Sequence, residues 1–228
     1  MIVASEFLGI EESALIKAYE VIIQFAAILA VMLIYKEKIT FKKVDLWMKL
    51  FVAFLPLAIV GFIFKDVIKT LFNVQTVAWM FIIGGVIFLI VEYFYEEKKA
   101  HVTHVEKVNY KQALWVGIAQ IFSLVPGTSR AGATIIGGLL VGLDRKTSME
   151  FSFLLAIPVM AAVSGYDLLK HYQDFADANW GAFIIGFITA FVVAYITIKL
   201  FLVFIERFTF VAFGIYRIIF GIILLMVI

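Results

Sequence analysis

The 228-residue chain is 64% hydrophobic and only 16% charged, with a mean hydropathy of +1.06, whereas a soluble domain is about half apolar and a quarter charged; lipid is the solvent for most of it. A formal net charge of +2, with no Lys/Arg block interleaved with aromatics, offers no face to nucleic acid. The absence of Cys excludes disulfides and thiolate metal sites.

The start, Met1-Ile2-Val3-Ala4-Ser5-Glu6, has no basic n-region and does not read as a secretory signal. Apolar runs then follow at Tyr19 to Tyr35, Leu46 to Phe64, Val77 to Tyr95, Met149 to Gly165, Ala182 to Phe204 and Phe208 to Ile228. Each has the length of roughly 17 to 25 residues that a helix needs to cross a hydrocarbon core of about 30 Å. Helices are expected because lipid cannot satisfy open backbone groups, and no stretch alternates as barrel strands do. The fold class is therefore an all-α polytopic membrane protein with about six transmembrane helices in a single integral domain over residues 1–228.

Between the third and fourth spans lies Ala113 to Gly142, apolar but cut by Pro126-Gly127 and by Gly132, Gly137, Gly138 and Gly142. Two half-helices meeting at a break fit it better than one span. Lys36, Lys38, Lys42, Lys43, Lys98, Lys99, Lys107, Lys111, Arg145, Lys146 and Arg207 then share one side of the bilayer, against Lys17, Lys65, Lys69 and Lys170 on the other. The first side is expected to be cytoplasmic, and the broken segment enters and leaves on that side as a re-entrant hairpin.

The halves resemble each other. Glu20-Val-Ile-Ile-Gln-Phe-Ala26 and Glu150-Phe-Ser-Phe-Leu-Leu-Ala156 each open a span with an acid six residues before an alanine, and two further spans follow in both. By the charge rule the two spans run in opposite senses, so the repeats are inverted. The expected organisation is a first repeat at 1–95, a cytoplasmic linker at 96–111, and a second repeat at 112–228 that opens with the re-entrant hairpin at 112–142. Aligning Gly9-Ile-Glu-Glu with Gly142-Leu-Asp-Arg sets Met1 opposite about Thr134, so the first repeat holds only the remnant of a matching hairpin.

One stretch at membrane depth combines a break, hydroxyls and a permanent cation: Val125-Pro-Gly-Thr-Ser-Arg-Ala-Gly-Ala-Thr134. Gly127 permits close backbone approach, and the following half-helix presents unpaired N–H groups at its positive end. Ser129 and Thr134 add hydroxyls, and Arg130 adds a planar fork suited to phosphate oxygens. An arginine inside the bilayer costs about 2.5 kcal/mol or more and is functional by default. The competing structural reading pairs Arg130 with Glu20 or Glu150.

Pro126-Gly-Thr-Ser-Arg130-Ala-Gly-Ala-Thr134, followed by Glu150-Phe-Ser-Phe-Leu-Leu-Ala-Ile-Pro158 and Tyr216-Arg217, resembles the bacterial undecaprenyl-diphosphate phosphatase family, also called the bacitracin-resistance protein family. The resemblance covers essentially the whole chain. It implies a hydrolase of the bacterial inner membrane, built from inverted repeats, whose active site faces the periplasm. Such an enzyme converts undecaprenyl diphosphate to undecaprenyl phosphate and inorganic phosphate, which recycles the lipid carrier for peptidoglycan synthesis and confers bacitracin resistance. Carried onto this sequence, Ser129 and Arg130 are the candidate catalytic residues, and Gly127, Thr128, Ser129, Arg130 and Thr134 the candidate substrate-binding ones. The expected partners are a polyprenyl diphosphate lipid and the bilayer, not nucleic acid; a homodimer is left open.

There are two departures. Ala131 stands where the family has a second serine. The family's first hairpin, with a Glu-x-x-x-Glu motif and Pro-x-Ser-Ser-x-His, is expected upstream of Met1, so the Mg²⁺ or Ca²⁺ that the resemblance implies finds no ligands in this chain. Glu6, Glu11, Glu12, Glu20 and Glu150 do not reproduce that motif, and His101, His104 and His171 read as loop residues. The alternatives are a polyprenyl-phosphate carrier built on the same anion site, or a truncated chain that binds diphosphate lipid without hydrolysing it.

Overall fold

The computed structural model describes residues 14–40, 42–171 and 180–227, together with Val3, Phe7 and Gly9. Its principal helices are α1 (Ala14–Ile34), α2 (Val44–Ile63), α3 (Lys65–Thr70), α4 (Val74–Phe94), α5 (Tyr110–Gln120), α6 (Arg130–Leu140), α7 (Arg145–His171), α8 (Trp180–Arg207) and α9 (Val211–Val227). Short 3-10 turns lie at Glu97–Lys99, Val105–Lys107 and Ile121–Leu124. The chain is an all-α polytopic membrane protein. Among the described residues four helical stretches are long and apolar enough to cross a membrane: Val44–Ile63, Val74–Phe94, Arg145–Tyr166 and Trp180–Phe204. The apolar parts of α1 and α9, Ile23–Ile34 and Val211–Val227, are shorter.

Local chemistry sets the helix starts. The Asn73 side chain accepts from the amide of Thr76 at 2.7 Å to open α4, and Asp144 accepts from Thr147 at 2.6 Å to open α7. Each satisfies an amide that has no helical acceptor. Pro56 and Pro158 lie inside α2 and α7, where each removes one backbone hydrogen bond.

α1 packs on α7 and on α8, and α4 on α9, while α5 lies on α2 and α6 on α7. The largest apolar cluster joins Leu50 and Ala53 of α2, Val116 of α5, and Phe151, Leu154 and Leu155 of α7. A second, with Phe88, Ile135, Leu139, Met149 and Phe210, fills the space among α4, α6, α7 and the start of α9. By contrast α8 exposes Ile184, Ile188, Val192, Ile196 and Leu200 along its length, a face that only lipid tails solvate without cost.

The side that the charge count assigns to the cytoplasm is stitched by ion pairs. Arg145 forms a two-pronged bond to Glu92, with Nε–Oε1 at 3.1 Å and Nη2–Oε2 at 2.7 Å, and also pairs with Glu97. Glu92 accepts a third hydrogen bond, from the amide of Phe210 at 3.1 Å, so its buried charge is satisfied by α7 and α9 together. Lys49 donates to the Glu106 carbonyl at 3.0 Å and pairs with Asp45, while Lys43 pairs with the Glu106 carboxylate. Partial burial pushes that carboxyl up, but the Lys43 hydrogen bond and the charges of Lys38 and Lys43 outweigh it and hold it below the usual range.

Candidate phosphate-binding site

The apolar run Ala113 to Gly142 folds as two short antiparallel helices, α5 and α6, joined at a break. Asn109 and Gln112 cap α5 reciprocally, at 2.9 and 3.0 Å, which fixes where the hairpin begins. The helix tightens into the 3-10 turn at Ile121–Leu124, then Val125 is extended and Pro126 buried. Gly127 has φ +90°, and a Cβ there would lie 2.6 Å from the carbonyl oxygen of Val77. Only glycine can take this backbone angle while lying against the main chain of α4.

Ser129 also has a positive φ, 73°, and is the one non-glycine residue with that property among those described. Backbone strain of this kind costs about 1–3 kcal/mol and gathers at functional sites. Here it turns the chain so that the Ser129 hydroxyl oxygen accepts from the amide of Gly132 at 3.1 Å and caps α6. The hydroxyl proton of Ser129 remains available to an acceptor outside the helix, and the first-turn amides of Arg130 and Ala131 have no helical acceptor.

Arg130 is the first residue of α6. Its Nη1 is buried without a hydrogen-bond partner, as is the hydroxyl of Thr128 beside it. No ion pair to Arg130 is found among the described residues, and Glu150, one of the two carboxylates expected to neutralise it, pairs instead with Lys38 at 2.5 Å. Thr134, fully buried, donates back to the carbonyl oxygens of Arg130 and Ala131 at 3.0 and 3.1 Å and meets the Ser152 hydroxyl at 2.6 Å. Its hydroxyl thus holds the turn that carries Arg130 and ties it to α7.

The sequence reading assigned no role to Arg217. Only 2% exposed, it reaches from α9 across α4, and Nη2 donates to the carbonyls of Gly127 at 2.7 Å and Met80 at 3.0 Å. The guanidinium lies over the rings of Phe81 and Phe213, at 4.8 and 5.9 Å, where cation–π attraction offsets part of its desolvation. Gly84 makes the space: a Cβ there would sit 2.5 Å from Nη2. The signal was present, since a second arginine interrupts an apolar run and Gly84-Gly85 opens a close helix contact.

Among the described residues no group of three or more His, Asp or Glu side chains could hold a metal ion. His101 and His104 are exposed in the connection before α5, and His171 ends α7. Glu6, Glu11 and Glu12 lie outside the described residues. A helix N-terminus, hydroxyls and a buried guanidinium come together on one strained turn, the groups from which anion sites are built.

Comparison with known proteins agrees in kind. Residues 1–223 match the family model described as bacitracin resistance protein BacA. The chain is 83% identical over 227 residues to an undecaprenyl-diphosphatase of Sulfurovum sp. (strain NBC37-1), covering 100% of this chain and 89% of the relative. It is 64% identical over 227 residues to the undecaprenyl-diphosphatase of Sulfurimonas denitrificans, covering 99% and 89%. The undecaprenyl-diphosphatase of Methanococcus aeolicus is 48% identical over 226 residues, with 99% and 88% covered.

Proposed function

The chain belongs to the bacitracin resistance protein BacA family, and from that premise we propose that it hydrolyses undecaprenyl diphosphate to undecaprenyl phosphate and inorganic phosphate. The reaction returns the lipid carrier to cell-wall synthesis and underlies bacitracin resistance. One observation carries the reading: the buried, unpaired Nη1 of Arg130 at the N-terminus of α6, beside the strained Ser129 cap.

The chemistry follows from what these groups can stabilise. Water attacks the terminal phosphorus, the bond to the bridging oxygen breaks, and the lipid monophosphate leaves. Negative charge on the phosphoryl oxygens must be met throughout, and donors fixed in advance in a low-dielectric site meet it at the least reorganisation. Arg130 supplies the planar fork, Ser129 and Thr128 supply hydroxyl donors, and the free amides of the first turn of α6 supply the helix-end dipole. Gly127 lets the backbone carry them close to the substrate. Thr134 and Arg217 are positioning residues, acting through the carbonyls of Arg130 and Gly127.

The resemblance also implies Mg²⁺ or Ca²⁺. The described residues do not fit such an ion, for no group of three or more His, Asp or Glu side chains comes together among them. We place the protein in the bacterial inner membrane with the turn open to the periplasm. The support is the hairpin itself: its two outer ends, near Tyr110 and Leu140, lie with the lysine-rich connections, so the turn points away from them, and the 11 residues of α6 carry it about halfway through the core. Phosphate release from undecaprenyl diphosphate in detergent, with and without EDTA, tests the activity. Release supports the proposal; no release, with flip of labelled undecaprenyl phosphate in proteoliposomes, would favour the carrier instead.

A further inference from the structure

Gln120 is the last residue of α5 and is 0% exposed, yet neither Nε2 nor Oε1 has a hydrogen-bond partner among the described residues. Leaving both halves of a buried amide unused is costly, and native proteins rarely tolerate it without a reason. Of the ten buried side-chain polar atoms without a partner among the described residues, four, Gln120 Nε2 and Oε1, Thr128 Oγ1 and Arg130 Nη1, fall within the eleven-residue tip of the hairpin, from 120 to 130.

Packing gives Gln120 its direction. Val116 and Ala119 of α5 lie against Gly137 of α6, and Gly117 lies against Ala53 of α2. Gln120 follows Val116 and Gly117 on the same buried face, so it points into the interior between α2 and α6, one turn nearer the break. With Ala119 opposite Gly137, the rise per residue sets the Gln120 backbone roughly 9 Å along the hairpin from that of Arg130, a gap that the two long side chains close with an anion between them.

We propose that Gln120 is a further residue of the phosphate pocket: Nε2 donates to a phosphate oxygen, and Oε1 accepts from the P–OH of a protonated phosphate. The inference rests on the phosphate-binding role of the turn proposed above. It adds something that Arg130, Ser129 and the helix end do not supply, because those groups only donate. An acceptor in the pocket selects an anion that still carries a proton, so hydrogen phosphate binds better than sulfate, which has none at neutral pH. A buried polar group that loses its partner when the ligand lacks a hydroxyl is a strong source of such discrimination.

The test measures binding of inorganic phosphate and of sulfate to the full detergent-solubilised chain, together with its thermal unfolding midpoint, for wild type, Gln120→Met and Gln120→Glu. Wild type should bind phosphate about 10-fold more tightly than sulfate. Gln120→Met should weaken phosphate about 10-fold and bring the ratio towards one, with an unfolding midpoint equal to or above that of wild type because an orphaned amide has been removed. Gln120→Glu keeps the shape but replaces the donor with a negative charge, and should weaken both anions. An unchanged phosphate-to-sulfate ratio in Gln120→Met would overturn the inference, as would unchanged affinities in Gln120→Glu. Binding needs no turnover, so the two readings fail separately. Wild type that binds phosphate but releases none from undecaprenyl diphosphate contradicts the phosphatase reading; wild-type turnover with an unchanged ratio in Gln120→Met contradicts this one.

Discussion

Arg217 Nη2 donates a 2.7 Å hydrogen bond to the carbonyl oxygen of Gly127, so the last helix of the chain holds the turn that carries Ser129 and Arg130. A second bond from the same nitrogen to Met80 on α4 makes the guanidinium a three-way joint. Arg217→Ala leaves the Gly127 carbonyl without its partner, at a cost of about 1–3 kcal/mol, while the Met80 carbonyl keeps its helical bond within α4. We expect phosphate release to fall about 100-fold, with a lowered unfolding midpoint. Arg217→Lys, which keeps the charge but not the planar fork, should recover stability more than activity. Equal recovery of both in the lysine variant would contradict a role in aiming the turn.

Gly84 and Gly85 are neighbours with different duties. An added methyl at Gly84 meets the end of the Arg217 side chain, 2.5 Å from Nη2, whereas at Gly85 it meets the Gly214 carbonyl oxygen at 2.7 Å. The side chain can move and the backbone cannot. Gly84→Ala should therefore reduce activity, about 10-fold, and lower stability no more than Arg217→Ala does, while Gly85→Ala should destabilise the α4–α9 contact by about 1–3 kcal/mol. Unfolding midpoints and phosphate-release rates of the two variants decide the point.

At Ser129 strain and capping oppose each other. Ser129→Ala keeps the positive φ but loses the cap, whereas Ser129→Gly loses the cap and relieves the strain. The glycine variant should be about 1 kcal/mol more stable than the alanine variant, and both should lose activity through the missing hydroxyl. Thermal unfolding of the pair in one detergent checks the sign.

The sequence carried the architecture because its signals are local. Long apolar runs read as membrane helices, and Pro126-Gly127 with the glycines after it read as a hairpin break, now seen as α5, a turn and α6. It also marked Arg130 as exceptional, since a cation in an apolar run is visible without a structure. What stayed hidden is relational. Nothing local says that Arg217 lies under Gly127, 90 residues away, that Glu150 pairs with Lys38 rather than Arg130, or that Thr134 spends its hydroxyl on the backbone of its own helix. The backbone angle of Ser129 was equally invisible, because serine as a residue type does not advertise it.

The Glu92–Arg145 pair is buried on the Glu92 side, 2% exposed, and linked to Phe210. Glu92→Gln should cost about 3–5 kcal/mol by leaving a guanidinium without its full counter-charge. The double variant Glu92→Gln with Arg145→Met should cost less than the sum of the single changes, and a double-mutant cycle of unfolding free energies measures the difference.

The central claim is that Arg130 binds the diphosphate. Its most direct test is inorganic phosphate release from undecaprenyl diphosphate by wild type and Arg130→Ala, both purified from the membrane fraction and matched for unfolding midpoint. The structure leads us to expect a loss of at least about 100-fold in kcat/KM, comparable to removing a principal transition-state donor, with membrane insertion intact. Release by Arg130→Ala at the wild-type rate would contradict the claim.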